Sequence, residues 1–126
     1  MFRVTPSGVE TLLHSFSGNN GVTGSTDGAI PFGGVIQGSD GNFYGTTSAG
    51  GAIYRSGTLF KVTPTGVETV LHSFSGPVAS VGSTDGTNPH GSLIQASDGN
   101  FYGTTEIGGT YNAGTVFKVT GAIVTH

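Results

Sequence analysis

One stretch constrains the chain more than any other. Val35-Ile36-Gln37-Gly38-Ser39-Asp40-Gly41-Asn42-Phe43-Tyr44-Gly45-Thr46-Thr47 returns almost unchanged as Leu93-Ile94-Gln95-Ala96-Ser97-Asp98-Gly99-Asn100-Phe101-Tyr102-Gly103-Thr104-Thr105. Each copy reads as two short strands joined at an Asp-Gly turn, Asp40-Gly41 and Asp98-Gly99. A tight two-residue hairpin turn needs positive φ, which glycine adopts freely. The aspartates could also ligate a hard cation such as calcium. Capping of its own turn by Asp is the commoner use, and no EF-hand spacing surrounds either one.

A second segment repeats as well. Residues 2–18 match residues 60–76 almost position for position, and a third partial copy begins at Phe117-Lys118-Val119-Thr120. The spacing is 58 residues from Phe2 to Phe60 and 57 from Phe60 to Phe117. The single deletion falls in a loop, as stacked repeat units tolerate. Within one period four strands are expected. Position A lies near 35–37 and 93–95, and position B near 43–47 and 101–105. Position C lies near 58–63 and 115–120 with a first copy at 2–5, and position D near 68–74 with a first copy at 10–16. Pro-Ser-Gly and Pro-Thr-Gly join C to D, where proline presets φ and glycine permits its reversal. The apolar pattern alternates with period two, and no capped helical run is found. The expected class is all-β.

Four antiparallel strands per repeat, each unit ending in a glycine-rich connection, indicate β-propeller blades. A β-sandwich would not require near-identical tandem units. Residues 91–105, 114–120 and 67–74 resemble the bacterial GloVer repeat, named for Gloeobacter and Verrucomicrobia, and the resemblance covers nearly the whole chain. It implies a propeller-like repeat region in proteins that are often exported and surface-anchored, hence an extracellular or cell-surface setting. It brings no defined activity and no catalytic residues.

Read in order, the chain carries C-D (1–18), A-B-C-D (34–76) and A-B-C (92–126), about two blades within one unit spanning 1–126. Two blades cannot close a ring, and a lone pair would leave apolar faces and strand edges open. The ends are complementary, because the C-terminal set lacks the D strand that residues 10–16 offer. Head-to-tail association of copies is therefore expected, giving six blades as a trimer or eight as a tetramer, with the trimer preferred. Glu10, Leu12, His14 and Phe16 on one side and Phe117 and Val119 on the other are the expected assembly residues. Residues 2–5 and 117–120 compete for one C position. Residues 123–125 read as too short to replace strand D.

Composition limits the partners. Only Arg3, Arg55, Lys61 and Lys118 are cationic and the net charge is −3, which gives no basic surface for a nucleic-acid backbone. Glycine numbers 24, nearly three times the usual share of about 7%, as many tight turns require. There is no cysteine, so disulfides and thiolate metal sites are excluded. No signal peptide and no membrane-spanning apolar run are read in the sequence.

Candidate chemistry is sparse. His14 and His72 recur in Leu-His-Ser-Phe and would form a ring in a closed assembly, but an outer strand sets such a ring too wide for metal. Adjacent strand residues face opposite ways, so that His-Ser pair makes no relay. Asp27 and Asp85 lie in the long connections between D and A, and His90 replaces Phe32 there in the second copy. Tyr54 and Tyr111 lie in the B-to-C connections, where exposed rings stack on sugars or pack against a neighbouring blade. These five are the candidate binding residues. No cofactor or resident metal is expected. The first functional reading is a non-enzymatic, self-assembling scaffold, structural or binding glycans or protein through repeated loops. The alternatives are a propeller-type lyase or hydrolase acting at a central channel, and a fragment or engineered piece whose only property is assembly.

Overall fold

The computed structural model describes residues 1–18, 26–52, 56–75 and 85–120, together with the backbone of 123–125. All its regular elements are strands: β1 (Phe2–Val4), β2 (Glu10–Leu12), β3 (Ile36–Gln37), β4 (Phe43–Thr47), β5 (Thr58–Val62), β6 (Glu68–Ser73), β7 (Ile94–Gln95), β8 (Phe101–Thr105), β9 (Thr115–Thr120) and β10 (Ile123–Thr125). They form three antiparallel sheets: the pair β1-β2, the sheet β3-β4-β5-β6 and the sheet β7-β8-β9-β10. Their order within each four-stranded sheet is the order of the sequence.

The turns follow from local chemistry. Gly38 N donates to Asn42 O at 2.8 Å and Gly41 N to Gly38 O at 3.0 Å, so the loop has three residues and only Gly41 takes positive φ, at 84°. This differs from the two-residue turn expected. Asp40 caps the turn, so the reversal needs one left-handed residue instead of two. Asp98-Gly99 repeats the geometry, with Gly99 at φ 82°. The Pro6-Ser7-Gly8 and Pro64-Thr65-Gly66 turns are built alike, with Gly8 N on Thr5 O and Gly66 N on Thr63 O.

The first D-type strand is shorter than expected. Glu68–Ser73 pairs back to Thr58, whereas β2 ends at Leu12, opposite Phe2. Leu13 N and His14 N both converge on Met1 O, at 3.0 and 3.2 Å. In the second copy the register slips at the same place, with Leu59 opposite His72 and Phe60 opposite Val70. Leu71 is therefore an extra residue, a bulge that re-aims the histidine after it.

The position beside β9, expected to be vacant for a D strand, is occupied by β10 in the same chain. The three residues of β10 pair antiparallel with Lys118–Thr120. The two C-type strands differ within one chain. Phe117 and Val119 in β9 are buried, while β1 is exposed along its length.

The two four-stranded sheets stack face to face. Tyr44, Leu59 and Ile36 of the first meet Leu93, Phe101, Phe117 and Val119 of the second, joined by Phe74 and Leu71. The contacts join matching or neighbouring positions of successive repeats. The Phe32 and His90 rings stack 5.1 Å apart, Gly34 N donates to Ser92 Oγ at 3.0 Å, and Ser39 and Gln95 exchange two hydrogen bonds at 2.9 and 3.2 Å. The Tyr44 and Phe101 rings lie 4.1 Å apart. The β1-β2 pair joins the stack by the same device, with Phe16 edge-on to Phe60 at 5.0 Å as Phe74 is to Phe117 at 5.2 Å.

Candidate functional site

The most structured polar arrangement recurs once per repeat, where the bulged strand meets the following connection. The bulge turns His72 so that its Nε2 lies 3.1 Å from Asp85 Oδ2. Asp85 also accepts from Ser75 N at 3.1 Å and from Ser75 Oγ at 2.5 Å. In the first copy Asp27 accepts from Ser17 N at 3.1 Å and Ser17 Oγ at 2.6 Å, and His14 Nε2 lies 3.3 Å from Asp27 Oδ2. That last pair is less well aligned than its counterpart and His14 Nε2 makes no hydrogen bond. Both aspartates thus clasp the end of a D-type strand to its own connection.

The order of these groups decides what they can do. In a nucleophile relay the imidazole stands between hydroxyl and carboxylate and takes the hydroxyl proton. Here the carboxylate stands in the middle, and Ser75 and His72 both turn to it. A carboxylate accepting three donors stabilises a loop and leaves the hydroxyl an ordinary donor. The aromatic rings complete the clasp, with His72 edge-on to Phe74 at 4.9 Å and His14 edge-on to Phe16 at 4.7 Å.

Beside the first clasp lies a group that sequence reading passed over. Glu68 opens β6, is half-buried, and its Oε1 is buried with no hydrogen-bond partner. Burial pushes its carboxyl up to about 7, and the Asp27 carboxylate adds to the rise. Its counterpart Glu10 is exposed on β2. Recurrence of Gly-Val-Glu was visible in the sequence, but the approach of Glu68 to Asp27 arises only in the folded chain.

The remaining candidates scatter. His90 sits on the surface with Nε2 3.4 Å from Glu106 Oε2 and its ring on Phe32. Tyr111 is 90% exposed, in a turn where Asn112 N donates to Gly109 O at 3.1 Å. Tyr54 lies outside the described residues. Glu10 and Leu12 are exposed on β2, whereas Phe117 and Val119 are core residues of β9.

Asp40 and Asp98 are turn caps. Asp40 accepts from Asn42 N at 3.1 Å, Asn42 Nδ2 at 2.9 Å and Tyr44 OH at 2.6 Å, and Asp98 accepts the same three groups from Asn100 and Tyr102 at 3.0, 2.9 and 2.8 Å. The Tyr44 hydroxyl leads, with Asn42, in holding Asp40 below the usual carboxylate range. For Asp98 the Asn100 backbone N–H leads. Burial, and then Asp40, push the Tyr44 hydroxyl up to about 12. Among the described residues no three His, Asp or Glu side chains converge as metal ligands would.

The recurrence has a counterpart among known sequences. The profile of the Gloeobacter/Verrucomicrobia repeat matches residues 1–125. No curated protein matches the chain, and no solved structure does. The matched span covers both four-stranded sheets and the N-terminal hairpin: the chain belongs to the Gloeobacter/Verrucomicrobia repeat family.

Proposed function

We propose that the chain is a non-enzymatic repeat module that joins head to tail with copies of itself into a closed β-propeller, six blades from three chains or eight from four. One observation carries this reading. Each four-stranded sheet has two unlike faces, and the chain buries one pair of them against each other while leaving the matching face of the second sheet open and that of the first only partly covered, Phe16 packing on Phe60 beside an apolar cleft. Leu59 is fully buried between the sheets, but its counterpart Val116 is 69% exposed. Leu93 is 1% exposed, but its counterpart Val35 is 40% exposed. Ile36 is packed against the core where Ile94 is exposed, and Thr46 is buried where Thr104 is exposed. A second copy would cover the open pair with the contacts already used within one chain.

The assembled ring serves as a scaffold, at the cell surface if the setting of the family holds. Repeated loops on one rim would present Tyr111 and the Phe32–His90 stack to glycan or protein ligands in several copies. Light scattering after size exclusion, at two concentrations, tests the assembly. A mass of three or four chains, unchanged on dilution, is expected. A compact monomer at both concentrations would overturn it.

A further inference from the structure

We infer that β10 is a replaceable occupant of the β9 edge, and that the strand matched to that edge is β2 of a second copy. The inference rests on the head-to-tail reading above and specifies how two copies join. Within the chain, β5 and β6 define how a C-type strand pairs with a D-type strand: Phe60 opposite Val70, Lys61 opposite Thr69 and Val62 opposite Glu68. The N-terminal hairpin has the same register, with Phe2 opposite Leu12, Arg3 opposite Thr11 and Val4 opposite Glu10. So β2 is D-type in both sequence and pairing.

The strand β9 is C-type, but the strand beside it is not D-type. Ile123, Val124 and Thr125 pair only with Thr120, Val119 and Lys118. Thr115, Val116 and Phe117 have β8 on one side and no pairing with β10 on the other. In the first sheet the corresponding edge is paired along all of Thr58–Val62.

Both present pairings are short, with three residue pairs each. The β1-β2 pair is a two-stranded sheet, marginal by itself, with Phe2, Val4 and Leu12 exposed. Exchange would open three β1-β2 pairs and three β9-β10 pairs, and would form five pairs if β9 and β2 adopted the β5-β6 register. Backbone pairing therefore nearly cancels, and apolar burial decides. An apolar cleft of about 350 Å³ lies between the N-terminal hairpin and the first sheet, lined by Met1, Phe2, Phe16, Pro31, Val35 and Phe60. Withdrawal of β1 would widen this cleft to admit Ile94, Tyr102 and Val116 of the other copy, which line an open hollow of about 280 Å³. Phe16 would stay on its own Phe60, so the second copy's β2 would arrive anchored.

The exchange would place Thr11 of one copy opposite Lys118 of the other, positions whose present partners are Arg3 and Thr125. The chain has no cysteine, so a Thr11→Cys, Lys118→Cys variant gives an unambiguous report. Under oxidation it should form an interchain disulfide, while its reduced form keeps the wild-type circular dichroism. Val124→Pro, which removes a backbone donor from β10, should lower the concentration needed for assembly by about tenfold, equal to about 1.4 kcal/mol. Oligomers by light scattering without a disulfide between the two substituted positions would overturn the exchange and leave head-to-tail joining intact. Monomers for both wild type and Val124→Pro at high concentration would overturn both.

Discussion

Ile30 sits at φ 56°, a left-handed conformation that a β-branched side chain adopts at a cost of about 1–2 kcal/mol. Its counterpart in the next repeat is Asn88, at φ 53°, a residue type that tolerates this region. Ile30 is exposed, so little packing opposes its replacement. Ile30→Asn should stabilise the fold by about 1 kcal/mol in chemical denaturation. Glu68 offers a second test at this scale. Its carboxyl titrates near 7 when folded against an ordinary 4.5, so the folded state holds the extra proton between those values. Stability should then fall as pH rises through that window. Glu68→Gln should remove this dependence, with a gain on the order of 1 kcal/mol at pH 8 after allowance for solvent screening and none near pH 4. An unchanged pH profile of the melting temperature in the variant would count against the buried carboxyl.

Among elements, the four-stranded sheets owe their packing to one glycine per B-type strand. Gly45 lies opposite Phe60 and Gly103 opposite Phe117 across the ladder. A Cβ at Gly103 would stand 2.5 Å from Phe117 Cζ and 2.7 Å from a Leu93 methyl, so the phenyl ring occupies the space a side chain would need. Gly103→Ala should cost about 1–3 kcal/mol as overpacking, read as a lowered denaturant midpoint with unchanged slope. The spans of the B-type strands and of β9 were legible in the sequence, because alternation and turn chemistry are local. The shortened β2 and the pairing of β10 were not. Both depend on which edge lies free beside a strand, and alternation within a strand carries no record of its neighbour.

For the whole molecule, the informative residue is Val116, exposed in one chain yet equivalent to buried Leu59. Val116→Asp should leave the stability of the isolated chain within about 0.5 kcal/mol of wild type, because surface changes do little. The same substitution should abolish assembly, because docking would bury an unpaired carboxylate. Chemical denaturation checks the first half, and light scattering of the variant beside wild type checks the second. An oligomer of undiminished affinity would show that this face stays open.

The sequence by itself determined the all-β class, the repeat length, the position of nearly every strand and the aspartate-capped turns. Each of these rests on residues close together in the chain, whose φ preferences and alternation act without help. Tertiary structure decided the rest. It made Asp27 and Asp85 into clasps for His14, His72 and their serines, and it brought Glu68 to Asp27. It set unlike sheet faces against each other and left their counterparts Val35 and Val116 in water. These outcomes depend on contacts between segments tens of residues apart, where burial and long-range pairing, rather than local preference, set the energy.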